Sequence, residues 1–229
     1  MCTSFIDRRN DIITAMNFDN NGMIFSLNLK NPQIFMVCIK DENNGRNYPS
    51  FGVNSNGTFI NSLLVDSNGK GLYKRGKNTV NAVKLVQNIL TGNMGGMNDL
   101  GRYIESVEIV NVPNISVHCM ITDKNGNAYV IEPGRGNIYS PFNESPYFIM
   151  TNFSLIDNRT DNSCCRYSET EKLLQKEKSP DVNSALRILE RVKQEEEWKT
   201  EFSMVYSQKE NKVYYCYNAD FKNILEYKF

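Results

Sequence analysis

Short β-rich runs of apolar and β-branched residues, broken by polar turn positions, fill the first third of the chain: Thr3–Ile6, Ile12–Phe18, Gln33–Ile39 and Thr58–Val65. Turn pairs such as Asn56-Gly57 and Asn68-Gly69 bound them, so each run predicts a strand. From Asn78 the spacing becomes helical, with Val80, Val83, Ile89 and Leu90 near one stripe with Leu85 and Val86, an Asn cap ahead and Gly92 behind. Strands return as a hairpin, Ile115–Thr122 and Ala128–Glu132 around Asp123-Lys124-Asn125-Gly126, then as Ile138–Tyr139 and Tyr147–Thr151.

Ser168-Glu169-Thr170-Glu171 reads as a capping box opening a short helix. Ser179-Pro180 opens another helix, with Val182, Ala185, Leu186, Leu189 and Val192 on one face. A closing hairpin, Phe202–Ser207 and Val213–Tyr217, precedes a last strand near Ile224–Tyr227. The order strands, helices, strands, helices, strands predicts an α+β fold in layers. No repeat, low-complexity tract or linker divides the 229 residues, which predicts one domain spanning 1–229.

Charge narrows the partners. The 26 basic and 26 acidic residues cancel, which argues against nucleic acid or an anionic membrane as a partner. The N-terminus becomes charged at Asp7-Arg8-Arg9 before any apolar signal region develops, and no later run approaches the ~18 apolar residues of a spanning helix. Six cysteines, at 2, 38, 119, 164, 165 and 216, form no C-x-x-C pair. Reduced thiols in a cytoplasmic protein are expected, and adjacent Cys164 and Cys165 would bridge only with strain.

Candidate chemistry concentrates at the start of the chain. Cys is small enough at position 2 for Met1 to be removed, which would leave a thiol and a free α-amine on one residue. The amine, with an ordinary pKa of about 7.7–8.0, can accept the thiol proton near neutral pH, so no separate histidine base is required. The single histidine, His118, lies in an apolar strand and is read as a core residue, which disfavours a Ser–His–Asp triad or a multi-histidine metal site. Neither Gly95-Gly96 nor Gly134-Arg135-Gly136 has the spacing of a phosphate cradle, and no cofactor or metal is expected.

Several ordered segments carry a resemblance: Met1-Cys2-Thr3-Ser4-Phe5; Met16-Asn17-Phe18-Asp19; Gly52-Val53-Asn54-Ser55-Asn56-Gly57; Val117-His118-Cys119-Met120-Ile121-Thr122-Asp123, running on to Ile131-Glu132; Met150-Thr151-Asn152; and the hairpin from Tyr206 to Tyr217. Together they resemble the choloylglycine hydrolase family, which includes bile salt hydrolases and penicillin V acylases. The resemblance implies a four-layer αββα sandwich of the N-terminal-nucleophile hydrolase type. It also implies an activity, hydrolysis of a linear amide bond of a small N-acyl substrate, and it leaves a homo-oligomer open. Cys2 matches the family's nucleophile and Asp19 an acid that orients the terminal amine. Asn152 matches the donor to the oxyanion, and Arg166 an arginine at a helix start beside the catalytic centre.

The sequence departs from the family at three places. Met16 stands where the family has an arginine, so Arg8 or Arg9 is a candidate replacement cation. Leu64 stands at the second oxyanion position, where only its backbone N–H could donate. The Phe153–Arg166 stretch is shorter than the family's loop. In the implied reaction Cys2, freed of Met1, forms a thioester with the acyl group; two alternatives to the amidase follow, a binding protein on the same fold without catalysis and an acyltransferase using the same thioester.

Overall fold

The computed structural model describes residues 1–92, 97–157 and 164–229, and within 97–99 only the backbone. Gly95-Gly96 and the middle of the Phe153–Arg166 stretch therefore lie outside the described residues. In chain order the strands before the first helix are β1 (Cys2–Asp7), β2 (Ile13–Asn20), β3 (Phe25–Asn28), β4 (Ile34–Lys40), β5 (Asn47–Asn54), β6 (Phe59–Ile60), β7 (Leu63–Leu64) and β8 (Thr79–Asn81). Helices α1 (Ala82–Leu90) and α2 (Met97–Ser106) precede β9 (Glu108–Val110), β10 (Val117–Thr122), β11 (Ala128–Glu132), β12 (Gly136–Ser140) and β13 (Tyr147–Met150). Helices α3 (Cys165–Lys176) and α4 (Val182–Arg191) lead into β14 (Lys199–Ser207), β15 (Lys212–Tyr217) and β16 (Leu225–Lys228).

Two antiparallel sheets organise these strands, apart from β8 and β9, which form a separate parallel pair. One runs β13-β1-β2-β14-β15-β16; the other runs β12-β11-β10-β6-β5-β4-β3, with β7 also paired to β10. Period-two alternation sorts side chains to opposite faces. From β2, Met16 and Phe18 enter the cluster between the sheets, together with Phe35 and Val37 of β4, Met120 of β10 and Phe202 and Met204 of β14. The other face of the first sheet sends Phe5, Ile13, Ala15 and Val205 against Leu174 of α3 and Ala185, Ile188 and Leu189 of α4. On the second sheet Ile60, Cys119, Ile121 and Ile131 pack with Leu85, Val86 and Ile89 of α1. β1 and β2 are buried along their whole length because each has apolar neighbours on both faces.

Helix starts depart from the sequence reading. α1 begins at Ala82 rather than Asn78: Val80 belongs to β8, and Asn81 is the cap, its Oδ1 accepting from the Lys84 N–H at 2.9 Å. α3 begins at Cys165, ahead of the expected box at Ser168, and its Cys164 cap makes no side-chain capping bond. The capping box lies instead at the start of α4, where Asp181 accepts from the Ser184 N–H and the Ser184 hydroxyl accepts from the Asp181 N–H.

The expected strand Thr58–Val65 is split. Between β6 and β7, Asn61 takes over the pairing, its Oδ1 accepting from the Met120 N–H at 2.9 Å while its own N–H donates to Met120 O. β3, β5 and α2 were not expected. β3 is half-exposed and shows no apolar run, and β5 carries Pro49 at a register shift against β4.

Candidate active site

The site forms where β1 begins. Cys2 pairs with Phe18 of β2, and its strand is flanked on the other side by β13, with Ser4 opposite Met150. The end of β13 therefore delivers Thr151 and Asn152 beside Cys2, and the end of β2 delivers Asp19. Thr200 of β14 lies opposite Asp19 in the sheet. The early start of α3 brings Arg166 in from the helix layer.

Hydrogen bonds converge on the first two residues. The Met1 ammonium donates to the Asp19 carbonyl at 3.1 Å, and the Cys2 N–H donates to Asn152 Oδ1 at 2.5 Å. Arg166 Nη1 donates to the Cys2 carbonyl and, at 3.1 Å, to Thr3 Oγ1. Its Nη2 donates to Asn152 Oδ1 at 3.2 Å and lies 3.7 Å from Met1 Sδ. Asn152 Nδ2 donates to Leu64 O at 2.7 Å, which uses one of its two hydrogens and leaves the other without a partner among the described residues.

Asp19 is 1% exposed and held on three sides. Thr200 Oγ1 donates to Oδ1 at 2.5 Å, Gln194 Nε2 donates to Oδ2 at 2.9 Å, and Arg166 Nη1 stands 3.6 Å from Oδ2. Burial pushes the Asp19 carboxyl up to about 6, against the opposing pull of Thr200, Arg166 and Gln194. The Cys2 thiol is pushed up to about 11 by burial and by the Asp19 charge, outweighing the Met1 ammonium and Arg166. Burial also lowers the Met1 amine, against the attraction of Cys2 and Asp19. A Cys2 thiol preceded by Met1 is thus protonated at neutral pH and a poor nucleophile.

All four site residues expected from the sequence, Cys2, Asp19, Asn152 and Arg166, come together here. Neither Arg8 nor Arg9 replaces the missing cation at Met16. Arg8 donates to the carbonyls of Ser140, Pro141 and Ser145, and Arg9 pairs with Asp7 and donates to carbonyls of α3 and its end. Met16 is fully buried in the cluster between the sheets, and among the described residues the side-chain cation bonded to Cys2 is Arg166. Leu64 meets Asn152 through its carbonyl oxygen. Thr200 was missed because its link to Asp19 depends on strand register, and Gln194 because it reaches Asp19 from the connection before β14, where its backbone is bonded to Thr200; local pattern encodes neither.

A cleft of about 870 Å³ opens over this cluster. Met1, Asn152 and Arg166 form part of its wall, and Leu64, Val65, Leu72, Tyr73, Val112, Ile115, Phe153 and Trp198 give it a largely apolar lining. The volume is that of a small-molecule site. Cys164 and Cys165 also face the cleft, and all six cysteines are free. Among the described residues, no group of three or more His, Cys, Asp or Glu side chains could hold a metal ion, and no helix is long and apolar enough to cross a membrane.

Solved structures with the same architecture are amide hydrolases. A mutant conjugated bile acid hydrolase from Clostridium perfringens aligns over 100% of this chain and 97% of its own, with TM-score 0.67 and 14% identity. Penicillin V acylase from Agrobacterium tumefaciens aligns over 95% of this chain and 83% of its own, with TM-score 0.68 and 14% identity. A Caenorhabditis elegans ortholog of N-acylethanolamine-hydrolyzing acid amidase aligns over 90% and 93%, with TM-score 0.60 and 15% identity. No family model and no curated protein sequence matches the chain. The chain is an α+β protein with the fold of these hydrolases.

Proposed function

We propose that this chain is a cysteine N-terminal-nucleophile amidase, a single domain over residues 1–229 in a four-layer αββα sandwich, which hydrolyses the amide bond of a small N-acyl substrate. Three apolar clusters, helix on sheet, sheet on sheet and sheet on helix, support the layered reading. One observation carries the function: the side chains of Asn152 and Arg166 both converge on the backbone of Cys2, and Arg166 in turn stands 3.6 Å from the buried Asp19 carboxylate. A packing role for Cys2 alone requires none of these polar side chains.

In this reading Met1 is removed first. The α-amine of Cys2 then takes the place of the N–H that now bonds Asn152, and it accepts the thiol proton. The thiolate attacks the substrate carbonyl carbon, and the negative oxygen is held by the free hydrogen of Asn152 Nδ2. Collapse of this intermediate expels the amine, protonated by the Cys2 ammonium, and leaves a thioester. Water, deprotonated by the same amine, releases the acid and frees the thiol. Arg166 holds the Cys2 carbonyl and balances Asp19, which fixes the N-terminus against the strand.

The apolar lining of the cleft supports an apolar acyl group. The unpaired thiols support a reducing, cytoplasmic setting. Replacing Cys2 with Ala is expected to abolish hydrolysis of N-acyl amides, measured by release of the free amine; unchanged turnover would end this reading. A non-catalytic binding protein is the second reading, favoured by apolar Met16 and by Leu64 at positions where polar groups were expected. A Cys2 thiol that still titrates near 11 after Met1 removal would favour it. Transfer of the acyl group to an added amine would identify an acyltransferase.

A further inference from the structure

His118 and Glu132 are both fully buried, yet neither belongs to the site described above. They stand on neighbouring strands of the second sheet, β10 and β11. His118 Nε2 lies 2.7 Å from Thr151 O, and its Nδ1 lies 3.1 Å from Glu132 Oε1. A carbonyl oxygen can only accept, so Nε2 is the donor in the first contact. Glu132 accepts in turn from the Leu155 N–H at 2.8 Å and the Ser154 hydroxyl at 2.5 Å. Burial would raise this carboxyl, but the hydrogen bonds from His118, Ser154 and Leu155 hold it lowered overall, so it is ionised.

The groups gripped by this pair are the two sides of the turn that carries Asn152 and Phe153. Thr151 precedes them, and Ser154 and Leu155 follow. Ser154 Oγ extends the grip by accepting from the Ile156 and Asp157 N–H groups. The turn leaves the first sheet at the end of β13, whereas its anchors come from the second sheet. Arg135, 4.0 Å from Glu132 Oε2, pins the far end of the turn by pairing with Asp157 at 2.5 Å. A buried, hydrogen-bonded polar pair is a costly way to fix a loop, since apolar packing of the same volume is often as stable.

We propose that His118 and Glu132 are positioning residues for the reaction: from the second sheet they hold the Thr151–Leu155 turn so that Asn152 aims its free amide hydrogen at the oxygen of the reacting carbonyl. The inference rests on the amidase reading. His118 itself does not touch substrate; it acts through Thr151 and Asn152.

The test uses three substitutions. His118→Gln keeps a donor near the Nε2 position, His118→Asn keeps one only near Nδ1, and His118→Leu keeps neither. With a panel of apolar N-acyl amides, Gln is expected to retain kcat within about threefold. Asn and Leu are expected to lower kcat about 100-fold with KM little changed, the pattern of an interaction made only in the transition state. Alkylation of Cys2 by iodoacetamide, which develops no oxyanion, is expected to be unchanged in every variant. Equal kcat in Gln and Asn variants overturns the proposal, as does a parallel loss of kcat and alkylation. If the wild-type chain hydrolyses none of the panel, the amidase reading has failed, and the positioning claim is decided by the 15N side-chain amide signal of Asn152, assigned by its loss in Asn152→Asp. A signal displaced in the Asn variant but kept in the Gln variant supports it; a signal unchanged in both overturns it.

Discussion

Asp19 and Arg166 form a charge pair inside the protein, 3.6 Å apart with side-chain exposures of 0% and 9%, and the Cys2 backbone is bonded to one of them directly. Such a pair is worth most when one member is lost, because the other is then left charged without a partner. Arg166→Met is expected to cost about 3–5 kcal/mol of stability. Asp19→Asn and Arg166→Met combined should cost less than the sum of the two, and urea denaturation of all four chains measures the coupling. Additive costs would mean that the two groups do not interact.

The titration of Asp19 gives a second expectation. Its carboxyl is raised to about 6, mainly by burial, so the folded chain binds that proton more tightly than the unfolded chain does. Ionising Asp19 therefore subtracts stability as pH rises from the ordinary value near 3.8 through about 6. Over that window wild-type stability should fall relative to Asp19→Asn, with a difference in slope of at most about 1.4 kcal/mol per pH unit. Thr200→Val, which removes the hydroxyl at Asp19 Oδ1, should move the window upward in pH.

Asn152 offers its second amide hydrogen to the site while the first is held by Leu64 O. Asn152→Ala is expected to lower kcat by about 10²–10³, the usual cost of an oxyanion donor, with a smaller effect on KM. Steady-state kinetics on an N-acyl amide reads the split directly.

Much of this arrangement was legible in the chain, for identifiable reasons. The fully buried runs of β1, β2, β10 and β14 read as strands because apolar side chains are needed on both faces. The four candidate site residues were named because their order along the chain resembles a known family, not because local pattern marked them. Thr200 stayed hidden because hydrogen bonds across strands follow register, and Gln194 because it acts from a connection placed beside Asp19 only by the tertiary fold. α3 started three residues before its expected capping box, where Arg166 binds the Cys2 carbonyl, so a tertiary contact prevailed over local capping preference. His118 was read correctly as a buried, bonded residue, but its link to the Asn152 turn joins two sheets and has no sequence signature.

Phe202 shows how the sheets are held together. It is fully buried and its ring meets Phe25, Phe35, Phe51, Tyr215 and Tyr217 at centroid distances of 5.2–6.3 Å. Phe202→Ala is expected to cost about 3–5 kcal/mol, read as a lowered urea midpoint at constant slope.

The proposed amidase chemistry requires removal of Met1. With Met1 in place the thiol is held near 11, so at pH 8 only about one thiol in a thousand is ionised. Iodoacetamide should therefore label Cys2 slowly in a chain that retains Met1 and much faster in one that begins at Cys2, read by peptide mass. Equal rates would show that the terminal amine does not activate the thiol.

The most direct measurement is the intact mass of the purified protein before and after brief exposure to a panel of apolar N-acyl amides, including penicillin V, beside a Cys2→Ser control. The account predicts a chain lacking Met1 that gains the mass of one acyl group on Cys2, or turns the amide over, while the control does neither in the same time. A processed chain that is never acylated and releases no amine, or a Cys2→Ser chain that performs as well as the wild type, would contradict it.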